Sequence, residues 1–426
     1  MPFSTLGLSP ILLRAVAAQG YTAPTAIQTQ AIPAVLAGRD VLGLAQTGSG
    51  KTAAFVLPLL QCLTQTQALA PRSLGSRTVS RPVRALVLVP TRELANQVGQ
   101  TLLALSIHLP QAVKTVVVFG GVSINPQMMG LRGGADIVVA TPGRLLDLLG
   151  NNALSLAHVQ TLVLDEADRL LDAGFAEELE AVLAHLPARR QHLFFSATFP
   201  AAVQALAARL LHEPLRLEIV PTPQTQPNIQ QRAIAVDAPR RTQLLRHLIE
   251  ENKWKRVLVF VATKHAAEMV ADKLRKARIN AEPFHGELSQ GKRSQVLADF
   301  KASRLKVVIA TDVAARGLDI EALPVVLNYD LPRSAVDYVH RIGRTGRAGE
   351  TGLAVSFVSA DTEAHFCLIE KRQGQALVRE QVAGFEPAQA LPAPIPMRPG
   401  ERPDSGGIKG LRPSKKDKLR AAARQG

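Results

Sequence analysis

Residues 161–168 read Thr-Leu-Val-Leu-Asp-Glu-Ala-Asp, an apolar run that ends in three carboxylates within four positions. A buried carboxylate is costly unless it is paired or holds a metal ion. Open α/β sheets bind their ligands beyond the carboxyl ends of the strands, so a strand with this ending predicts a functional site there. Taken alone, the stretch is equally typical of a solvated acidic turn. Other motifs in the chain are needed to distinguish a functional site from such a turn.

Short apolar, β-prone runs alternate with segments of helical length in two successive blocks. Strands separated by helices favour βαβ units, and therefore an α/β fold with one parallel sheet per block. The runs lie at 41–44, 85–89, 115–119, 137–140, 162–164 and 192–195 in the first block, and at 256–261, 281–284, 306–310, 325–328 and 354–358 in the second.

Residues 221–229 separate the two blocks. They contain three prolines and no apolar periodicity, which is typical of an interdomain linker. We therefore predict a first domain over 1–220 and a second domain over 230–385. Residues 386–426 are rich in Pro, Gly, Lys and Arg, and this composition predicts a disordered basic tail.

Charge and composition narrow the class of partner. The 426 residues carry a formal net charge of +15, which favours a polyanionic partner, and residues 371–426 supply +7 of it. No apolar run approaches the ~20 residues of a membrane span, and the first residues do not resemble a secretory signal. Cys62 and Cys367 cannot by themselves build a disulfide framework or a zinc site, so we expect a cytoplasmic protein.

Residues 45–52 read Ala-Gln-Thr-Gly-Ser-Gly-Lys-Thr and stand between a predicted strand and an apolar helix. The glycines permit a tight loop whose N–H groups face phosphate oxygens, and the helix N-terminus favours the same ligand. Lys51 is expected to reach the β- and γ-phosphates and Thr52 to bind Mg²⁺, although Ala45 stands where the strict pattern has glycine. The alternative is a Gly-rich turn without a ligand.

The phosphate loop changes the interpretation of the acidic stretch. Such loops need a carboxylate at a neighbouring strand end to hold Mg²⁺. Asp165 fits that role, and Glu166 is placed to activate the attacking water. The two motifs together predict a nucleotide site.

Arg341, Arg344 and Arg347 are spaced by three, so we expect one helical face to carry all of them. Guanidinium groups can stabilise charge on a transferring phosphoryl group, although a solvated basic helix would have the same spacing. Because these arginines belong to the second block, the predicted site is complete only when the two domains close.

Over roughly residues 3–370 the chain resembles the DEAD-box RNA helicases. The resemblance implies two tandem RecA-like domains of the P-loop NTPase class, helicase superfamily 2. Details at 263–265, 284–286 and 382–387 resemble the bacterial RhlE-type branch. The motifs that carry the family resemblance follow in order: Phe3 with 20–28, 45–52, 90–95, Gly120 and Gly121, 141–144, 165–168, 196–198, 259–260, 290–293, 310–319 and 340–347.

The resemblance also implies roles for individual residues in binding and hydrolysing ATP. Mg²⁺ would be held by Thr52 and Asp165, partly through water. The implied catalytic residues are Lys51, Asp165, Glu166, His340, Arg344 and Arg347. The implied nucleotide-binding residues are Phe3, Gln28, Ala45, Gln46, Thr47, Gly48, Ser49, Gly50, Lys51, Thr52 and Asp319. For Phe3, anchoring the N-terminus is the alternative to stacking on adenine.

RNA is the implied partner, gripped through its backbone across both domains. Contacts with the sugar-phosphate backbone do not depend on the base sequence, and contacts with the 2′-hydroxyls distinguish RNA from DNA. Asp168, Ser196 and Thr198 would couple hydrolysis to closure. The implied RNA-binding residues are Arg92, Gly121, Thr141, Arg144, Gln290, Arg293, Thr311 and Arg316.

The expected function is therefore that of an ATP-dependent RNA helicase that unwinds short duplexes locally. A DNA helicase or repair translocase and a non-enzymatic RNA clamp loaded with ATP are the alternatives. Ribosomal precursors, messenger RNA undergoing decay and cold-stabilised hairpins are the candidate targets, and the RNA-decay machinery is a candidate partner. The basic tail is either an RNA tether or a solvated end.

Overall fold

The computed structural model describes residues 1–46, 48–69, 81–172, 174–219, 228–315, 323–346 and 351–388. Four predicted site residues, Thr47, Arg316, Asp319 and Arg347, lie outside these ranges, as does the predicted tail from residue 389 onward. Within the described residues, no helix combines the length and the hydropathy that a membrane crossing needs.

The first half of the chain forms a seven-stranded parallel sheet in the order β3-β4-β2-β5-β6-β1-β7. Its strands are β1 (Val41–Leu44), β2 (Ala85–Leu88), β3 (Thr115–Val118), β4 (Ile137–Ala140), β5 (Thr161–Leu164), β6 (Gln191–Ser196) and β7 (Leu215–Glu218). Its helices are α1 (Pro10–Ala18), α2 (Ala26–Leu36), α3 (Lys51–Leu69), α4 (Arg92–Ser106), α5 (Asn125–Leu131), α6 (Pro142–Gly150), α7 (Ala167–Asp172), α8 (Ala176–Ala184) and α9 (Ala201–Leu210), preceded by a 3-10 helix at Phe3–Leu6.

The second half repeats this architecture in the order β10-β11-β9-β12-β13-β8-β14, again with parallel pairing. Its strands are β8 (Ile229–Ala235), β9 (Val257–Val261), β10 (Ala281–Phe284), β11 (Val307–Thr311), β12 (Val325–Asn328), β13 (Gly352–Val358) and β14 (Arg379–Glu380). Its helices are α10 (Arg241–Glu251), α11 (Lys264–Lys276), α12 (Gln290–Lys301), α13 (Asp312–Ala315), α14 (Ala335–Ile342) and α15 (Glu363–Gln373), with a 3-10 helix at Ala238–Arg240.

Both faces of each sheet are covered. In β5, Val163 packs into one apolar cluster while Leu162 and Leu164 pack into another on the opposite face. Burial on two faces explains why the central strands are continuous apolar runs, without polar alternation. The predicted α/β fold with two parallel sheets is confirmed, and all strands of a sheet end at one edge.

The predicted boundaries differ from the structure at two places. β8 begins at Ile229, the last residue of the predicted linker, and β7, β8 and β14 are strands that the sequence patterns did not predict. The tail is predicted to begin at residue 386, yet Glu386 accepts a hydrogen bond from the Gly384 amide and the Ala388 amide donates to Asp237. The second of these bonds connects Ala388 to the residue that precedes the 3-10 helix at Ala238–Arg240, so ordered contacts continue to the third residue of the predicted tail.

Candidate active site

The phosphate loop connects β1 to α3 at the carboxyl edge of the first sheet. Gly50 has a φ of +92°, and a Cβ there would lie 2.5 Å from Nε2 of Gln28, so the position requires glycine. Nζ of Lys51 donates a 2.6 Å hydrogen bond to the Ala45 carbonyl. Oγ of Ser49 is buried and has no partner among the described residues. A buried ammonium and an unpartnered hydroxyl in one loop suit a phosphate ligand.

Asp165 and Glu166 follow β5 at the same edge, and both are buried. Burial raises the pKa of Asp165 to about 6, although the Lys51 ammonium opposes the shift. Burial likewise lowers the pKa of Lys51, with Asp165 opposing. Glu166 has a φ of +52°, a left-handed conformation that is strained for a residue with a side chain. Oε2 of Glu166 lies 3.3 Å from Nη1 of Arg169 without an aligned hydrogen bond, so it can accept one from a ligand.

Asp168 is tied to the end of β6. Its Oδ2 accepts hydrogen bonds from the amide of Thr198 at 2.9 Å and from the Thr198 hydroxyl at 2.6 Å. The Asp168 amide donates to Oγ of Ser196, whose hydroxyl donates to the Thr198 carbonyl. Burial raises the pKa of Asp168, but the bonds from Thr198 and the nearby His340 outweigh it and leave the pKa below its usual value. The three predicted coupling residues therefore form one hydrogen-bonded unit.

The second domain closes over this edge through α14 and the turn after it. His340 and Arg344 line a small cavity together with Arg169 of the first domain. Burial and the charge of Arg169 lower the pKa of His340, while Asp168 and Glu166 oppose this shift. The imidazole is therefore neutral near pH 7, and it can accept a proton or a hydrogen bond beside the acidic residues.

The expected helical stack of three arginines is wrong. α14 ends at Ile342, so Arg344 lies in the following turn. Arg341 does lie on the helix, but it is buried and makes two hydrogen bonds of 2.6 and 2.7 Å to Asp312. It also donates to Oδ1 of Asn328 and stacks on Phe260, 4.8 Å from the ring centre. These contacts make Arg341 part of the scaffold under the site.

Gln28 lies next to the phosphate loop, and Phe3 belongs to the 3-10 helix that contacts α2; the partners of both side chains belong to the protein. Oε1 of Gln28 accepts from the Thr25 amide in a capping box of α2, and its Nε2 donates to the Gly50 carbonyl at 3.1 Å. Phe3 is only 6% exposed and packs in the core, so its ring has little surface left for a base. The structure thus favours the anchoring role of Phe3, with the more exposed Tyr21 stacked against it.

Four predicted RNA-binding residues meet on the first domain. A Cβ on Gly121, which has a φ of +74°, would lie 2.0 Å from the guanidinium of Arg92. Thr141 occupies the N-cap position of α6 without a side-chain capping bond, and Nη2 of Arg144 donates to the Val122 carbonyl at 2.8 Å. Burial, together with the charges of Arg293 and Arg144, lowers the pKa of Arg92. Guanidinium groups crowded in this way favour an anionic ligand.

Arg293 joins the two domains. Its Nη2 lies 2.6 Å from Oε1 of Glu93, and the two side chains are 5% and 8% exposed. The guanidinium also stacks on Phe284, 4.7 Å from the ring centre. The residue predicted to bind RNA therefore makes a buried interdomain ion pair.

The remaining predicted RNA contacts of the second domain lie at the ends of its elements. Gln290 begins α12, and its Oε1 is buried without a partner among the described residues. Thr311 ends β11 and is partly buried. Both positions lie on the carboxyl side of the second sheet, and Gln290 is on the same helix as Arg293, which pairs with Glu93 of the first domain.

Sequence reasoning missed two residues that connect the parts of the site. Arg169 pairs with Glu166 and lines the cavity with His340, and Glu93 provides the interdomain partner of Arg293. Arg169 directly follows the acidic stretch, so its charge among three carboxylates was an available signal. Glu93 lies within the 90–95 motif, but the motif does not reveal its partner, which lies 200 positions away in the chain.

Two family models match the chain. The one described as "DEAD/DEAH box helicase" covers residues 25–206, and the one described as "Helicase conserved C-terminal domain" covers residues 240–349.

Relatives with established names match over most of this chain. It is 41% identical to the DEAD-box ATP-dependent RNA helicase CshA of Geobacillus kaustophilus, over 84% of this chain and 73% of that protein. It is 42% identical to the ATP-dependent RNA helicase DeaD of Mycobacterium tuberculosis over 90% of this chain, but it spans only 65% of that relative's length.

The structure of S. cerevisiae Dbp5 bound to RNA and ADP BeF3 is similar over both domains. The TM-score is 0.76 at 30% identity, covering 89% of this chain and 95% of that chain. The likeness extends over both sheets, so it includes their relative placement as well as each fold.

Proposed function

The chain belongs to the DEAD-box helicase family, and from that premise we propose that it is an ATP-dependent RNA helicase. It would bind the RNA backbone across two domains, 1–220 and 230–385, and unwind short duplexes locally, with ATP hydrolysis driving release of the RNA. The observation that carries the proposal is that Arg169 of the first domain lines one cavity with His340 and Arg344 of the second, and that the charges of Asp168 and Glu166 act on His340 across the junction. Such a site is assembled only on closure, which suits an enzyme that couples hydrolysis to a grip on RNA.

The buried polar groups of the phosphate loop fit a Mg²⁺-bound nucleotide. Ser49 Oγ and Glu166 Oε2 have no hydrogen-bond partner among the described residues, and Asp165 is a buried carboxylate beside Lys51. Thr52 and Asp165 would hold Mg²⁺, partly through water. When bound, the ion would supply positive charge that neutralises the triphosphate.

The chain's own groups supply the remaining chemistry. Lys51 would bind the β- and γ-phosphate oxygens, and Glu166 would orient the attacking water and accept its proton. Arg344 and Arg347 would stabilise the charge that develops on the transferred phosphoryl group. The Gln28 amide can still bind the edge of adenine, because its oxygen can accept a second hydrogen bond and its NH₂ group can donate a second one.

RNA is the partner that the relatives support. CshA and DeaD are named RNA helicases, and Dbp5 was solved with RNA. In this chain, Arg92, Arg144 and Arg293 lie near one another at the junction. Guanidinium groups and backbone amides suit phosphates, so we propose contacts that do not depend on base sequence.

One experiment tests the proposal against its alternatives. ATP hydrolysis by the purified full chain is measured with single-stranded RNA and with DNA of the same sequence, beside Glu166→Gln as the inactive control. We expect stimulation by RNA alone and release of a short RNA duplex with ATP. Equal stimulation by DNA would instead favour a DNA helicase. ATP-dependent RNA binding with no release of the duplex, either with ATP or with a non-hydrolysable analogue, would favour a clamp.

For the cellular setting we propose the cytoplasm, supported by two cysteines that form no disulfide, Cys62 and Cys367. Ribosomal precursors and RNAs undergoing decay are proposed target classes. Assignment to the RhlE-type branch stays a prediction. Sequencing RNA fragments crosslinked to the protein in cells would identify the targets.

A further inference from the structure

A cluster of one carboxylate and two imidazoles lies at the edge of the first sheet opposite the nucleotide site. Asp40 immediately precedes β1, His192 is the second residue of β6, and His212 lies between α9 and β7. In the sheet, β1 stands between β6 and β7, so the amino ends of three adjacent parallel strands bring these residues together.

The potential ligand atoms of the cluster are already close. Oδ2 of Asp40 lies 3.4 Å from Nδ1 of His192 and 3.9 Å from Nδ1 of His212. One ligand atom from each residue lies within 4.8 Å of those of the other two. Tetrahedral zinc with bonds of about 2.0–2.1 Å separates its ligands by about 3.3 Å. The geometry therefore needs only a small approach of His212, whose side chain is 81% exposed and can rotate.

His192 provides an independent indication of a ligand. Its side chain is 95% buried; Nδ1 makes only the long 3.4 Å contact with Asp40, and Nε2 has no hydrogen-bond partner among the described residues. Buried polar nitrogens are normally satisfied, so an imidazole with an unpartnered nitrogen calls for an explanation such as a bound ion. Its Nδ1 faces the carboxylate of Asp40.

The carboxylate is held in place by the backbone. Oδ1 of Asp40 accepts from the His192 amide at 2.8 Å, and Oδ2 accepts from the His212 amide at 2.9 Å. Hydrogen bonds of this kind orient a metal-binding carboxylate and leave each oxygen a free lone pair. The positive charge of Arg190 lowers the pKa of His192, and the same charge would repel a metal ion bound at the cluster.

We propose that Asp40, His192 and His212 bind a divalent transition metal of the zinc class, with water as the fourth ligand. Two imidazoles and one carboxylate are the ligand set that such ions take, and neither Mg²⁺ nor Ca²⁺ prefers imidazole. The ion would join three segments of the first domain at the amino edge of its sheet, about 13 Å along the strands from the phosphate loop. It would stabilise that domain without taking part in ATP hydrolysis.

The decisive measurement is Zn²⁺ binding to the untagged full chain in a buffer that does not chelate metal. Titration calorimetry should give one site per chain. His212→Asn should lower the affinity for Zn²⁺ by more than about 100-fold, because loss of a direct ligand should cost more than loss of a residue that only hydrogen-bonds to a ligand. The exposed His108 offers a matched control, because His108→Asn lies elsewhere on the surface and should leave the affinity unchanged. Arg190→Gln should strengthen binding, since it removes the opposing charge.

Two further readouts keep the test independent of folding defects. His212 is exposed, so His212→Asn should fold and keep its RNA-stimulated ATP hydrolysis. Co²⁺ should give the intense visible absorption of a four-coordinate ion, and this band should be lost in His212→Asn and in His192→Gln. Undetectable Zn²⁺ binding, or binding with the same affinity in both variants, would overturn the site.

Discussion

At the scale of single residues, Asp165 illustrates what burial does to a functional carboxylate. Its folded-state pKa of about 6 lies above the ordinary value of 3.8, so its ionisation destabilises the fold when no ligand is bound. This cost is absent below the ordinary pKa and complete above the raised one. A group placed to hold a cation thus reduces the stability of the empty protein.

We expect Asp165→Asn to stabilise the nucleotide-free protein in a pH-dependent way. The gain in the free energy of unfolding should grow as the pH rises from about 4 to about 6 and reach about 3 kcal/mol, because the folded-state pKa lies about two pH units above the ordinary one. Urea unfolding without Mg²⁺, at constant ionic strength, measures it. The exposed Asp361→Asn is the control and should show no such trend. A constant difference between Asp165→Asn and the native protein across this range would contradict the raised pKa.

Arg347 is predicted to act on the transition state alone. Arg347→Ala should lower the rate of RNA-stimulated ATP hydrolysis by about 10³-fold or more, because an arginine finger contributes about 10³–10⁵ in rate. The affinity for ATP should change little, since the residue belongs to the second domain and the phosphate loop to the first. Steady-state kinetics and fluorescent-nucleotide binding measure the two quantities, with the exposed Arg333→Ala as control. Native-like hydrolysis would exclude a site shared by two domains.

Residue types were more predictable from the sequence than residue partners. Lys51, Asp165 and Glu166 are predictable because phosphate and Mg²⁺ chemistry admits few side chains at a strand end. The bond from Gln28 to the Gly50 carbonyl and the burial of Phe3 depend on how α2 and the first 3-10 helix pack, which local sequence does not encode. The same holds for the cluster of Asp40, His192 and His212, whose members meet only through strand order.

At the scale of elements, the buried Arg341 joins α14 to α13 through Asp312 and to the second sheet through Asn328. Arg341→Met should destabilise the second domain by about 3–5 kcal/mol, because it leaves Asp312 without its bidentate partner in a partly buried site. Arg333→Met, on the exposed surface just before α14, should change stability by no more than about 0.5 kcal/mol. Urea unfolding followed by the fluorescence of Trp254 in the second domain measures both. Equal effects of the two substitutions would show that the pairing with Asp312 is unimportant.

The strands that the sequence failed to predict share a physical cause. β7 reads Leu-Arg-Leu-Glu and lies at a sheet edge, so only one of its residues is buried. β8 begins with Ile-Gln-Gln-Arg, and β14 has only two residues. Central strands are buried on both faces and are apolar throughout, whereas these strands owe their conformation to pairing with a neighbour already in place.

At the scale of the whole molecule, the ion pair of Glu93 and Arg293 should hold the two domains closed. Loss of one partner would leave the other charge buried and uncompensated in the closed state, whereas opening would return that charge to water, so closure is disfavoured unless both partners are present. Glu93→Gln should therefore lower the closed fraction, measured by energy transfer between dyes on the two domains. Adding Arg293→Gln should restore part of the loss, because it removes the unpaired charge.

A pair within one helix provides the control for closure. Arg246 and Glu250 are exposed and lie on α10, so Arg246→Gln should leave the closed fraction unchanged. Additive effects of Glu93→Gln and Arg293→Gln would mean that the two side chains are not coupled.

The basic tail is the last feature whose effect belongs to the whole molecule. Residues 389–426 contain nine Lys or Arg and three acidic residues, a net charge of +6 out of the +15 of the chain. Truncation after Ala388 keeps its bond to Asp237, so the second domain should stay intact. If the tail tethers RNA, the truncated protein should show a higher KM for RNA and a flatter dependence of log K on log salt, by about 0.7 for each lost phosphate contact on single strands. Exchanging the nine basic residues for Gln in the full-length chain separates charge from length, and an unchanged salt slope in both variants would identify the tail as a solvated end.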